Sequence, residues 1–282
     1  MVAILAGLAT AAFWTLTTLC SSRSTKMIGS MSVLAWVMIS GFVITAPLAA
    51  IDGIPAKLHG SVLAWLALSG VCNVGGLSFA YMALRQGRVG VASPIISTEG
   101  GIAAVIAVFA GESLGLPRGL TLAVIAIGIV AVAAGSSGEE SLGHHDGRAA
   151  LFAGTAALIF GLGLYSTGRV SSDVPLAWAA LPPRVVGVVA VAIPLALSGR
   201  LRLTRRAAPL VVTSGMCEVI GYFTYTLGAR HGIAVTAVLG SQFAVLAAIV
   251  AYFLFGEKLK RLQIAGVAVT AIGVAVLSAL QA

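Results

Sequence analysis

Three ionisable side chains interrupt otherwise apolar stretches of this 282-residue chain: Glu99, Arg184 and Glu218. Each lies near the middle of a run long enough to cross a bilayer. A charge in that position costs several kcal/mol unless it faces a cavity or a partner, so each is a candidate functional group. Two carboxylates and one guanidinium leave one surplus negative charge if all ionise. A dry site does not tolerate that surplus, so one glutamate is expected to be protonated at rest or to await a cation. Glu99 or Glu218 would then exchange a proton or take a substrate ammonium group. Arg184 would hold the other glutamate or a substrate carboxylate, the plainer alternative being a structural pair between Arg184 and one glutamate.

Helical spacing extends the set. Tyr222 and Tyr225 follow Glu218 at i+4 and i+7, so the three share one helix face, which is expected to line a cavity. Asn73 occupies the matching central position in the first half, followed at the same spacings by Leu77 and Ala80, with Tyr81 alongside. Gln242 beside Ser241, and Ser97 with Thr98, add hydrogen-bonding groups. Trp14 and Trp178 read equally as packing or as interfacial anchors.

Positioning these groups falls to apolar helices. Hydrophobic residues make up 59% of the chain and charged residues 9%, far from the roughly half and quarter of soluble domains. Ten runs of about 20 mostly apolar residues fall at 3–21, 32–51, 61–84, 89–110, 119–136, 149–168, 176–197, 208–229, 233–255 and 262–280. Short breaks such as Asp52-Gly-Ile-Pro55 and Asp173-Val-Pro175 carry turn chemistry. Residues 1–22 read as a retained first span rather than a signal peptide, because no basic region precedes them and Arg23 and Lys26 follow.

The chain repeats itself. Gly70-Val-Cys72-Asn73-Val74-Gly-Gly76 matches Gly215-Met-Cys217-Glu218-Val219-Ile-Gly221, 145 residues later. The same offset pairs Arg85-Gln-Gly87 with Arg230-His-Gly232, Gly111-Glu112 with Gly256-Glu257, and Ala126-Ile-Gly128 with Ala271-Ile-Gly273. Five spans separate the copies, so they run in opposite directions through the membrane, as in many secondary transporters. The expected fold is an all-α integral membrane protein of ten helices in two inverted five-helix repeats, 1–136 and 149–282, joined by a polar linker at 137–148.

The run Phe255-Gly256-Glu257-Lys258-Leu259, followed by Gln263-Ile-Ala-Gly266 and Ala271-Ile-Gly273-Val274, resembles the end of an EamA-type repeat of the drug/metabolite transporter superfamily. Ala110-Gly111-Glu112-Ser-Leu114 with Ala126-Ile-Gly128 is a weaker version in the first half. The resemblance covers nearly the whole chain and implies two five-helix repeats, but does not specify a substrate. Pro183-Arg184-Val-Val-Gly187 looks like the family's second-helix arginine. The first half has Trp36-Val-Met38-Ile39 there instead. The family topology implies cytoplasmic termini, whereas the Lys and Arg count favours the opposite orientation, dominated by the Gly199–Arg206 cluster.

These residues point to a secondary transporter that exports or exchanges a small polar organic metabolite such as an amino acid. The alternatives are proton-coupled efflux of organic cations and a membrane scaffold without transport. The lipid bilayer, a small-molecule substrate and protons are the expected partners, and the cell membrane, a bacterial inner or plasma membrane, is the expected location. A monomer is expected, with a dimer as the alternative. The net charge of +8 reads as loop and headgroup anchoring, because no basic stripe with interleaved aromatics suits nucleic acid. No nucleotide-binding loop, hydrolase motif or cofactor motif occurs, so neither an enzyme nor a cofactor is expected. His144-His145-Asp146 with Glu139 and Glu140 read as solvated linker rather than a metal site. Cys20, Cys72 and Cys217 read as small buried hydrophobes, and Glu112 and Glu257 as turn-stabilising residues at helix ends.

Overall fold

Long apolar runs leave the backbone no partner but itself, so they fold as helices. In the computed structural model of the protein, which describes residues 1–86, 89–136, 144–243, 245–246, 250 and 261–280, every regular element is helical and no strand occurs among the described residues. The elements are α1 (Val2–Ile28), α2 (Ser30–Asp52), α3 (Gly60–Gln86), α4 (Val89–Ile96), α5 (Glu99–Phe109), α6 (Leu116–Ser136), α7 (His144–Val170), α8 (Leu176–Gly187), a π-helical turn (Val188–Ala192), α9 (Ile193–Leu197), α10 (Ala208–Ala229), α11 (Ile233–Gly240) and α12 (Arg261–Ala279). Among the described residues, six segments are long and apolar enough to cross a membrane: α1, α2, α3, Arg148–Val170, Leu176–Leu197 and α10. The chain is a multi-pass membrane protein. The expected linker at 137–148 falls mostly outside the described residues, as do Glu139, Glu140 and the whole Phe255–Leu259 run.

The expected continuous spans at 89–110 and 233–255 are both broken early. α4 and α11 each run for eight residues and end in the same hydrogen-bond pattern. Ser97, Thr98 and Ile102 N–H groups donate to Ser93, Ile95 and Thr98 carbonyls at 2.9, 3.2 and 3.1 Å. Ser241, Gln242 and Leu246 donate to Ala237, Leu239 and Gln242 at 3.0, 3.2 and 3.1 Å. In both places an i→i−3 bond replaces one i→i−4 bond and tightens the turn. Pro94, which has no N–H to offer the preceding turn, weakens α4 just before its break.

The expected span at 176–197 is continuous but irregular. Pro182 and Pro183 interrupt the ladder of α8, and the π-turn that follows has Ile193 N–H donating to the Val188 carbonyl. An inserted residue of this kind lets Pro194 enter the helix without clashing with the turn before it.

With the sequence matches as the correspondence, helix packing is reciprocal. α3 packs on α7 as α10 packs on α1, and α5 on α7 as α11 on α1. α3 meets α8 as α10 meets α2, while α2–α8, α5–α11 and α6–α12 pair directly across the halves. Repeated glycines set these approaches. A methyl group on Gly70 would lie 3.0 Å from the Pro182 carbonyl carbon. One on Gly215 would lie 2.9 Å from the Val37 carbonyl oxygen and 2.7 Å from Ser40 Cβ. Backbone contact of this closeness stands in for the hydrophobic driving force that helices lack in lipid.

Candidate functional site

The two broken helices cross near the centre of the molecule. Gly100, in the first turn of α5, lies so close to α11 that a Cβ there would strike the Ala237 carbonyl and the Ser241 hydroxyl. This crossing delivers the first turn of α5 and the residue after the α11 break, Phe243, to a shared space. Around it stand Trp14, Thr17 and Thr18 of α1; Asn73, Leu77, Ala80, Tyr81 and Leu84 of α3; Ile96 and Glu99; Phe160 and Leu164 of α7; Glu218 of α10; and Phe243. They enclose a cavity of about 60 Å³, measured as the room open to the centre of a water molecule. That is enough for several waters or part of a small solute.

Glu99 and Glu218, each 4% exposed, line this cavity together. Asn73 Nδ2 donates to Glu218 Oε1 at 3.3 Å, so the repeat-matched residues touch each other. Residues that meet their own counterparts lie on the axis relating two copies. Glu99 sits at the N-terminal end of a half-helix, where the backbone dipole favours negative charge. It is within electrostatic reach of Glu218. Among the described residues no salt bridge reaches its carboxylate.

Arg184 is brought close to Glu218 but not into the lining. It occupies the last turn of α8, between the double proline and the π-turn, and is 0% exposed. Its guanidinium stacks over the Tyr222 ring at 5.1 Å from the centroid and lies within electrostatic reach of Glu218. None of its three nitrogens has a hydrogen-bond partner among the described residues. Gly41 of α2 makes room for it, since a Cβ there would lie 3.0 Å from Arg184 Nε.

The expected face of Glu218, Tyr222 and Tyr225 divides. Glu218 borders the cavity, but neither tyrosine does. The Tyr222 hydroxyl shares a 2.6 Å hydrogen bond with Thr167, and Tyr225 donates to the Leu164 carbonyl at 2.8 Å. Tyr225 also stacks against Trp14 at 6.1 Å. The i+4 and i+7 spacing put the three side chains on one face, but the packing partner α7 covers its lower part. Gln242 lies in the α11 break, buried, with its amide nitrogen unpartnered among the described residues. Sequence reasoning left out the contributions of Phe160, Phe243, Thr17 and Thr18. For Phe160 the sequence holds one signal, its match to Phe13 at an offset of 147 residues.

Glu112 stabilises a turn across the halves. Both its carboxylate oxygens accept from the Ala234 N–H at 3.2 Å, which caps α11. Burial pushes its carboxyl above the ordinary carboxylate range, opposed by the backbone bonds from Ala234 and Ile233. Near the same end of the helices, Lys57 pairs with Asp173 at 3.0 Å, and Trp178 Nε1 donates to the Gly53 carbonyl at 2.7 Å.

Residues 1–134 match the sequence profile of the EamA-like transporter family. No curated protein matches the chain. A solved structure described only as a crystal structure of a protein superposes with a TM-score of 0.77 at 17% identity, covering 99% of this chain and 96% of that one. At that identity the likeness speaks for the fold alone.

Proposed function

We propose, from the match of residues 1–134 to the EamA-like transporter family of the drug/metabolite transporter superfamily, that this chain is a member of that family and a secondary active transporter. It exports or exchanges a small polar organic solute by alternating access around the central cavity. Its architecture in this proposal is ten membrane passages in two inverted repeats, 1–136 and 149–282, rocking against each other. The reciprocal helix packing and the on-axis contact of Asn73 with Glu218 support that architecture.

The observation that carries the functional reading is a one-sided path. The cavity follows α3 from Asn73 through Leu77, Ala80 and Tyr81 to Leu84. The matched stretch of α10 places Tyr222 and Tyr225 where α3 has Leu77 and Ala80, and both are buried against α7. In an inverted pair the two paths lead to opposite sides of the membrane. The α3 side is bordered by the cavity and the α10 side is filled, an asymmetry that suits a single state of an alternating-access cycle. Glu99, Glu218 and Asn73 form the binding or coupling centre. Arg184, Tyr222, Tyr225 and Gln242 support it from behind.

Reconstituted into liposomes, the protein is expected to catalyse counterflow of its solute. Glu99→Gln and Glu218→Gln are expected to alter the pH profile of uptake. An unchanged rate and profile in both variants would remove the two carboxylates from the mechanism.

A further inference from the structure

Resting on the transport reading above, we infer that the cavity selects an organic monocation, an amine carried on an apolar or aromatic body, and that Glu99 is the carboxylate that receives its ammonium group. The lining brings two carboxylates together with the rings of Trp14, Tyr81, Phe160 and Phe243, and no lysine, arginine or histidine stands among the described lining residues. Aromatic faces attract cations, and do so more strongly when water is excluded. Arg184, whose guanidinium is buried, stacks over the Tyr222 ring outside the lining. It is therefore not placed to meet a substrate carboxylate in this state.

The two glutamates are not equivalent. Glu218 already accepts a hydrogen bond from Asn73 and has Arg184 within electrostatic reach. Glu99 has neither of these, and no salt bridge reaches it among the described residues; a buried carboxylate without a compensating positive charge favours taking up a cation or a proton. An ammonium group satisfies it with a charge-assisted hydrogen bond, the stronger kind. A zwitterion would bring its own carboxylate into a space that already holds two.

Four probes of the same shape separate these cases: 2-phenylethylamine, its neutral counterpart 2-phenylethanol, the anion phenylacetate and the zwitterion phenylalanine. Each is tested for thermal stabilisation of the purified full-length protein and for counterflow in proteoliposomes. The expected result is stabilisation and counterflow with the amine alone. In the variants, amine binding is expected to weaken at least tenfold in Glu99→Gln, to weaken less in Glu218→Gln, and to be largely kept in Glu99→Asp. Counterflow of phenylalanine at or above the rate of the amine overturns the substrate class and leaves transport standing. Amine binding that depends on Glu99 without any counterflow upholds the class and overturns transport. If no probe stabilises the protein, or if amine binding survives Glu99→Gln and is lost in Arg184→Gln, the assignment is overturned.

Discussion

The break after α4 and the break after α11 share a backbone and differ in chemistry. Both have the same three hydrogen bonds, displaced by 144 residues. The residue that follows is Glu99 in one and Phe243 in the other, and both face the cavity. The same contrast recurs at Asn73 and Glu218, and again where Leu77 and Ala80 oppose Tyr222 and Tyr225. The shared backbone builds the frame twice, and the substituents at matched positions differ, so each half gives the cavity one carboxylate from a different place: Glu99 from the α4–α5 break and Glu218 from α10. On the transport reading proposed above, specificity resides in differences between the halves rather than in either half.

The sharpest way to break this comparison is to make the walls alike. Asn73→Glu places a carboxylate against Glu218 and is expected to cost about 3 kcal/mol or more, read as a lower denaturation midpoint in detergent. Combining it with Glu218→Asn restores a donor facing an acceptor with the polarity reversed, and most of the loss is expected to return. A single variant as stable as the parent would mean that the matched positions do not face each other.

Next comes the crossing of the broken helices. Gly100→Ala drives a methyl group into backbone that cannot yield and is expected to cost roughly 1–3 kcal/mol. Its neighbour Gly101 has nothing within 4 Å of a Cβ, so Gly101→Ala should be neutral or stabilise by up to about 1 kcal/mol. Unfolding curves for the pair test whether the crossing, rather than glycine content, sets the packing.

Smaller effects test the reciprocity of the frame. Gly70→Ala and Gly215→Ala are each expected to cost about 1–2 kcal/mol, within a few tenths of each other. Unequal losses would break the correspondence. Smaller still, Glu112→Ala removes the cap on α11 and is expected to cost about 1 kcal/mol. Glu112→Gln keeps an acceptor and removes a charge that burial opposes, so hydrogen exchange at Ala234 should rise less in Gln than in Ala.

Much of the frame was legible because glycine leaves a mark wherever backbones touch. Gly70 and Gly215 appear in the 145-residue repeat and then meet α8 and α2 at corresponding points. The breaks were not legible. Ser97-Thr98 and Ser241-Gln242 are ordinary polar residues in apolar runs, and Pro94 precedes the first break with no proline at the matching place before the second. Their 144-residue displacement also differs by one from the repeat offset, which hid Phe243 as the counterpart of Glu99. The site was legible to the extent that a charge in an apolar run needs a reason. Glu99, Glu218 and Asn73 converge on the cavity. Arg184 and the two tyrosines do not line it, because periodicity fixes which residues share a face but not which helix that face meets.

The contact between Asn73 and Glu218 constrains how such a chain can arise. Where a chain is built from two copies related by an axis, a residue on that axis meets itself. Had both copies kept glutamate there, two carboxylates at hydrogen-bond distance would have had to share one proton. Two asparagines could pair but would supply no charge. An on-axis position can therefore carry a lone charge only after the copies have become distinct. Joining the halves in one chain allows that divergence, which a pair of identical subunits does not.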